Sequence, residues 1–179
     1  MSSFEFLNPA KAVRAAKVRE GMHVADFGVG SGFFTRASAR AVGNWGKVYA
    51  LDIDRELLKR ARTLARAEGL ENIEYVRGDL EQLHGSNLPD ESVDMVILSN
   101  VLFQVPHKEK MIEEAWRALR HGGRALAIDW KDSFGGLGPH PLHVLREGDA
   151  KKLFERGGFS FLESVPAGDF HYGFILRKK

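Results

Sequence analysis

Three alternating glycines, Gly28, Gly30 and Gly32, follow a short apolar run and fall within the segment Asp26–Gly32. Glycine has no side chain, so a glycine turn between a strand and a helix lets backbone N–H groups approach a ligand closely. A dinucleotide-binding fingerprint has the pattern G-x-G-x-x-G, and its third glycine would fall where this chain has Phe33. The observed pattern G-x-G-x-G disfavours a nicotinamide-dependent oxidoreductase, which stays open as an alternative.

An acidic residue, Asp52, ends the next apolar run, Lys47–Leu51, roughly 20 residues after the glycine loop. A carboxylate in this position can accept hydrogen bonds from both ribose hydroxyls of a nucleoside. The alternative interpretation is a tight strand–helix turn followed by an acid that only caps a helix. Taken together, the loop and the acid predict a binding site for a nucleoside cofactor.

The elements that must position these residues are predicted from apolar periodicity and turn residues. The predicted strands are Met22–Phe27, Lys47–Leu51, Ile73–Val76, Val93–Leu98, Arg124–Trp130, Phe159–Val165 and Phe170–Leu176. Five helices are predicted, and three of them are Pro9–Arg19, Phe33–Val42 and Glu147–Arg156. Another begins at Arg55 and has an apolar stripe formed by Leu57, Leu58, Ala61, Leu64 and Ala65. The remaining helix covers Met111–Leu119 and is ended by His121-Gly122-Gly123. This alternation predicts an α/β fold with a parallel sheet between two helix layers, and the closing hairpin implies one antiparallel strand.

Five segments resemble the motifs of class I S-adenosylmethionine-dependent methyltransferases. Val24–Thr35 resembles the first motif and Val48–Asp54 the second. Gly78–Leu80 resembles the third, and Leu88–Val96 and Leu119–Arg124 are similar to the later ones. The nearest group is the small type 11 methyltransferases, related to the ubiquinone and menaquinone methylases. The resemblance extends over nearly the whole chain, and it is specific for fold and cofactor but not for the methyl acceptor.

The resemblance implies a Rossmann-like, doubly wound sheet of seven strands in the order 3-2-1-4-5-7-6, with strand 7 antiparallel. It also implies S-adenosylmethionine as the cofactor, S-adenosylhomocysteine as its product, and a site at the carboxyl ends of the strands. The implied contacts are Asp26, Gly28, Gly30, Gly32 and Asn100 with the methionine and methyl side, Asp52 with the ribose, and Ile53, Asp79 and Leu80 with the adenine.

Residues that contact the acceptor should lie in the segments after strands 4 and 5. The candidates are Asn100, Phe103 and His107 after strand 4, and Asp129, Trp130, Lys131, His140 and His143 after strand 5. The aromatic residues and the histidines also have a structural interpretation: core packing for Phe103 and Trp130, a helix start for His107, and a structural hydrogen bond for the loop histidines. The catalytic prediction rests on Asn100, His140 and His143, with the loop Lys131–Leu145 as a lid over the acceptor.

A metal site is not predicted. His140 and His143 are three residues apart, but no carboxylate or cysteine stands near them in sequence to complete a ligand set. The chain has no cysteine, which excludes a cysteine nucleophile. Strand 4 lacks the Asn/Asp-Pro-Pro-aromatic motif of enzymes that methylate exocyclic base amines, and Asp94 lies at the wrong end of that strand for a catechol-type metal site. A small-molecule acceptor is therefore favoured.

The composition fits one domain over residues 1–179, with a net charge of +2 that does not argue for nucleic acid. The helix that begins at Arg55 nevertheless has a basic face, formed by Arg55, Lys59, Arg60, Arg62 and Arg66. This face is either solvated or an RNA-docking surface. The N-terminus lacks a signal-peptide pattern and no apolar stretch is long enough for a membrane span, so a cytoplasmic location is predicted. An RNA methyltransferase and a cofactor-binding module without turnover stay open, as does the oligomeric state.

Overall fold

Within residues 4–179, which the computed structural model describes, seven strands and five α-helices alternate along the chain. The strands are β1 (His23–Phe27), β2 (Lys47–Asp52), β3 (Ile73–Arg77), β4 (Val93–Ser99), β5 (Leu119–Trp130), β6 (Phe159–Ser164) and β7 (His171–Lys178). The helices are α1 (Pro9–Ala15), α2 (Phe33–Val42), α3 (Arg55–Ala67), α4 (Lys108–Ala118) and α5 (Glu147–Arg156). The signal-peptide prediction depends partly on residues 1–3, which lie outside the described residues.

All strands belong to one sheet in the order β3-β2-β1-β4-β5-β7-β6. β1 to β5 pair in parallel, and β7 is antiparallel to both β5 and β6. This confirms the predicted fold class, strand order and antiparallel strand. The central strand β4 is buried on both faces because helices cover both, which explains why its sequence is apolar without alternation. Within the described residues, no helix is both long enough and apolar enough to cross a membrane.

Two helix starts follow from capping residues that the sequence predicts. Asn8 Oδ1 accepts a hydrogen bond from Lys11 N at 3.0 Å and begins α1, and Asp54 Oδ1 accepts from Glu56 N at 2.8 Å and begins α3. The predicted end of α1 is wrong, since the helix ends at Ala15. Lys17 has a left-handed backbone with φ 58°, which turns the chain out of the helix before β1.

Three further element predictions need correction. In α3, Leu64 does not join the buried stripe and is 40% exposed. β5 begins at Leu119, because Leu119 already pairs with Val93 before a register shift leads to the pair of Met95 and Arg124. The glycine pair after His121 therefore lies inside this irregular strand, and α4 ends earlier, at Ala118. The predicted loop after β5 contains a short 3-10 helix, Pro141–His143.

Candidate functional site

A cavity of about 540 Å³ lies at the carboxyl ends of β1, β2 and β4, within the size range of small-molecule sites. Eight of the residues that the sequence predicts as cofactor contacts line this cavity: Asp26, Gly28, Gly30, Asp52, Ile53, Asp79, Leu80 and Asn100. The cavity lies where a doubly wound sheet binds ligands, because strand order reverses between β1 and β4 and leaves a crevice between their following loops.

The glycine loop forms the cavity wall between β1 and α2. Gly28 N and Val29 N both donate to Leu51 O, at 2.9 and 3.0 Å, which holds the loop against the end of β2. Gly28 has φ 86°, and a Cβ there would come within 2.7 Å of Val101 Cγ2. Gly30 has φ 48° and nothing lies within 4 Å of where its Cβ would be. The open space at Gly30 is therefore available to a ligand that lies against the backbone.

Gly32 lies outside the cavity wall, so its contact with the cofactor stays a prediction. It is the N-cap of α2, with φ 72°, and a Cβ there would lie 3.0 Å from Ala61 Cβ of α3. The residue is glycine because of its left-handed backbone and the close packing of α2 against α3. The adjacent Phe33, whose identity argues against the dinucleotide fingerprint, lines the cavity and is 59% exposed.

Asp26 is a buried acid at the end of β1, with 1% of its surface exposed. Its Oδ2 accepts a hydrogen bond of 2.5 Å from Thr35 Oγ1 of α2. Burial raises the pKa of Asp26 to about 7, against the lowering effect of the Thr35 hydrogen bond, and the nearby charge of Asp52 raises it further. A cationic group of a ligand beside Asp26 would stabilise its charged form.

Asp52 ends β2 and supports the glycine loop from the opposite side. Its Oδ1 accepts from Asp54 N at 3.0 Å, and its Oδ2 lies 3.4 Å from Gly30 N, at the long end of hydrogen bonding. The carboxylate therefore retains acceptor capacity for ligand hydroxyl groups. Ile53 follows on the cavity wall and is 59% exposed, so its apolar surface is open for a planar ligand to cover.

Asp79 and Leu80 line the cavity beyond the end of β3. Asp79 Oδ1 accepts from Glu81 N at 3.0 Å, and Glu81 Oε1 accepts from His107 N at 2.6 Å. These bonds connect the segment after β3 to the start of α4. His107 thus lies at the start of α4, in agreement with its structural interpretation. Glu81 also lines the cavity, and sequence reasoning missed it although it stands two residues after a predicted contact.

Asn100 follows β4 and has a strained, left-handed backbone with φ 53°. Its N donates to Ile128 O at 2.9 Å, and its O accepts from Gln104 Nε2 at 2.6 Å. The side-chain Oδ1 is buried without a hydrogen-bond partner within residues 4–179. A buried carbonyl oxygen left unpaired on a cavity wall is suited to a ligand that donates to it.

The acceptor-side candidates do not all lie at the cavity. His140 caps the 3-10 helix and His143 ends it; both are exposed and lie outside the cavity wall. His140 Nδ1 accepts a hydrogen bond from Leu142 N of the same helix turn at 3.3 Å. The structure therefore does not bring the two histidines together with Asn100 at the cavity wall. Asp129 is buried at the end of β5 and accepts from Phe103 N at 3.1 Å, which anchors the segment after β4.

The largest feature that sequence reasoning missed is the N-terminal segment before α1, since Leu7 and Pro9 line the cavity. The other lining residues that the sequence did not predict as individual contacts are Val29, Ser31, Phe33, Phe34, Leu57, Gly78, Ser99, Val101, Gln104, Val105 and Met111. Most of them adjoin a predicted contact in sequence, whereas Leu7 has only the signal of an apolar residue before a helix cap. No group of three or more possible metal-ligating side chains occurs among the described residues.

The chain is similar to known proteins both in sequence and in fold. A family model described as a methyltransferase domain matches residues 25–127. The ubiquinone/menaquinone biosynthesis C-methyltransferase UbiE of Escherichia fergusonii is 37% identical over 114 residues, 63% of this chain and 44% of the relative. The UbiE of Salmonella arizonae matches with the same identity and coverage. The chain thus spans less than half the length of these curated relatives.

Among solved structures, a SAM-dependent methyltransferase from Aquifex aeolicus superposes with a TM-score of 0.88 at 28% identity, over 97% of this chain and 91% of that one. The [4+2]-cyclase SpnF shares the fold with a TM-score of 0.78 at 17% identity, over 95% of this chain and 79% of that one. The family match, the Aquifex structure and the cavity at the glycine loop agree with the family and cofactor predicted from the sequence. The chain belongs to the class I S-adenosylmethionine-dependent methyltransferases.

Proposed function

We propose that the chain, acting as a single domain, transfers a methyl group from S-adenosylmethionine to a small-molecule acceptor and releases S-adenosylhomocysteine. The observation that carries this proposal is the cavity itself, which has a carboxylate at the end of β1, another at the end of β2 and the open glycine backbone between them. The same fold also occurs in a cyclase. The fold alone therefore does not establish methyl transfer, which depends on the residues of the site and needs a direct test.

The residues of the cavity fit this cofactor group by group. The free acceptor capacity of Asp52 suits two ribose hydroxyls, and the exposed Ile53 suits one face of the adenine. The space at Gly30 admits the ligand against the backbone. Asp26 suits the cationic amino group of the methionine end, and the unpaired Asn100 Oδ1 suits a donor on that same end.

When bound, S-adenosylmethionine supplies a methyl group on a sulfonium centre. A new bond forms between that carbon and the acceptor atom as the C–S bond breaks, the bonding pair stays on sulfur, and the acceptor loses its proton to solvent or a base. The chain's own residues orient the methyl group and exclude water, and proximity and orientation can supply most of the rate. Asp129 contributes by fixing the Val101–Gln104 turn through its bond to Phe103 N.

A small-molecule acceptor is supported by the size of the cavity and by the kind of reaction printed for the relatives, C-methylation in quinone biosynthesis. The basic face of α3 is the feature that would serve an RNA acceptor instead. One of its members, Arg62, lies over the Tyr75 ring at 4.9 Å, so part of this face packs on the protein's own surface.

The test has two stages that separate binding from turnover. Calorimetry should detect S-adenosylmethionine and S-adenosylhomocysteine, with no binding of NAD at the same concentrations. Transfer of labelled methyl to the small-molecule fraction of a cell extract, but not to its RNA fraction, should follow, and EDTA should leave the rate unchanged. NAD binding as tight as that of the methyl donor would overturn the cofactor assignment, and label in RNA alone would overturn the acceptor class.

A further inference from the structure

An aromatic pair lies at the carboxyl edge of the sheet, outside the cofactor cavity. Trp130 ends β5 and His171 begins β7, and the two residues are register partners with ring centroids 4.1 Å apart. Glycine at position 138 of the loop after β5 rests on the indole, since a Cβ there would come within 2.7 Å of Trp130 Cε3. The loop predicted to act as a lid therefore reaches this pair at Gly138.

His171 is buried but has no hydrogen-bond partner. Its relative exposure is 5%, and neither Nδ1 nor Nε2 has a partner within residues 4–179. Burial lowers the pKa of His171 to about 4, and the nearby Lys131 lowers it further, so the imidazole is neutral at pH 7. A neutral imidazole has one donor and one acceptor nitrogen, and burying both unpaired is unfavourable unless a ligand completes them.

The register of the sheet puts this pair on the same face as Asp26. Asp26 is opposite Ile97, Ile97 is opposite Leu126, and Trp130 lies four residues beyond Leu126 towards the carboxyl edge. Since side chains alternate along a strand, residues separated by an even number share a face. β7 lies two strand spacings from β4, about 10 Å. The pair is thus next to the methyl side of the cavity, beyond Ser99.

The N-terminal segment joins the cavity to this pair. Leu7 lines the cavity, while the rings of Phe6 and Phe170 lie 5.2 Å apart beside His171. Glu5 N donates to Asp169 Oδ2 and Asp169 N donates to Glu5 O, both at 2.8 Å and at an exposed position. Water can replace bonds at an exposed position at little cost. Displacement of this segment, against the packing of Phe4 and Phe6 on Phe170, would open a route to the pair.

We propose that Trp130 and His171 form the acceptor subsite of the proposed methyltransferase, for an uncharged planar aromatic acceptor that donates a hydrogen bond from a hydroxyl group. This inference rests on the proposed function. Once the covering segment is displaced, the half-buried indole would offer apolar surface to the acceptor ring, and the imidazole nitrogen that carries no proton would accept from the hydroxyl. The ammonium group of Lys131, held by Gly168 O at 3.3 Å and Asp169 O at 3.2 Å, disfavours a cationic acceptor.

The test compares two probes of similar ring shape, 2-naphthol and 2-methoxynaphthalene, which lacks the hydroxyl donor. Calorimetry is done on the full chain saturated with S-adenosylhomocysteine. We expect 2-naphthol to bind about fivefold more tightly, the effect of one neutral hydrogen bond. His171→Phe should abolish this difference while S-adenosylhomocysteine affinity is kept. The matched control is His121→Phe, because His121 is exposed and lies near the amino end of the parallel part of β5. This variant should still bind 2-naphthol more tightly than 2-methoxynaphthalene.

A measurement on the unsubstituted protein guards against misfolding of the variant. In ¹⁵N-histidine NMR at pH 7, the imidazole resonances of His171 should shift with 2-naphthol and not with 2-methoxynaphthalene. Equal binding of the two probes, an unshifted imidazole, or a difference that survives in folded His171→Phe would each overturn the inference while cofactor binding remains. Failure of the unsubstituted protein to bind S-adenosylhomocysteine would overturn the proposed function and this subsite with it.

Discussion

The carboxyl edge of the sheet has two regions that are built in different ways. At the ends of β1 and β2, the cavity wall is made by backbone conformation and by bonds between neighbouring motifs, such as Gly28 N to Leu51 O. At the ends of β5 and β7, side chains from distant parts of the chain meet, and Trp130 contacts His171 only because the two strands pair. The comparison teaches that the cofactor site is built by short motifs, whereas the proposed acceptor subsite depends on long-range packing.

The largest effect is expected in the first region, at Asp52. Asp52→Ala should weaken S-adenosylhomocysteine binding by at least about tenfold, since a charge-assisted hydrogen bond contributes about 1.5–3 kcal/mol and a decade is 1.4 kcal/mol. The control is Asp54→Ala, which removes the cap of α3. It should lower the free energy of unfolding by about 0.5–2 kcal/mol and leave affinity nearly intact. Calorimetry and melting curves measure both; a reversed outcome would mean that Asp54 holds the ribose.

Two glycines of the same loop should respond differently to alanine. Gly28→Ala should lower the free energy of unfolding by about 2–4 kcal/mol, because a left-handed backbone is strained for alanine and the Cβ would meet Val101. Gly30→Ala should cost about 1–2 kcal/mol of backbone strain alone and should act mainly on affinity, because its Cβ projects into the cavity. Chemical denaturation and calorimetry separate the effects; equal losses of stability would contradict the difference in packing.

A pH dependence should distinguish Asp26 from the rest of the cavity. The pKa of Asp26 is raised to about 7, so its carboxylate is charged above pH 7 and protonated below it. Affinity for S-adenosylhomocysteine should therefore fall by up to about tenfold per pH unit below 7 and be level above it. In the folded protein the raised pKa favours the protonated form, so stability falls as the pH rises towards 7. Asp26→Asn should flatten the affinity profile and raise the melting temperature at pH 8; an unchanged profile would exclude Asp26 as its source.

The smallest effects are expected in the second region, at the exposed histidines. His140→Ala and His143→Ala should change S-adenosylhomocysteine affinity and turnover by less than about twofold, since surface substitutions usually cost under about 0.5 kcal/mol. Their side chains are exposed and away from the cavity wall, in contrast to the buried His171. Once an acceptor is known, steady-state kinetics provides the measurement. A large loss of turnover in either variant would instead support the sequence-based prediction that these histidines contact the acceptor.

The amino-acid sequence by itself determined the first region. The alternating glycines, Asp52 and Asp54 carry their local roles in short segments, because a turn or a helix cap depends on residues only a few positions apart. The strand order followed from the resemblance of the same motifs to a known family. Even there, the packing of Gly32 against Ala61 of α3 could not be read from the loop sequence.

Only the tertiary structure decided the second region. No local pattern reveals that Leu7 lines the cavity, that Asn100 Oδ1 is left unpaired, or that His171 is buried against Trp130. The exposed His140 and His143 stood out in the sequence because they lie in a glycine- and proline-rich loop, while His171 stood between aromatic residues of an ordinary strand. Burial and partners depend on which strands pair and which segments pack over them, and these contacts form between residues far apart in the chain.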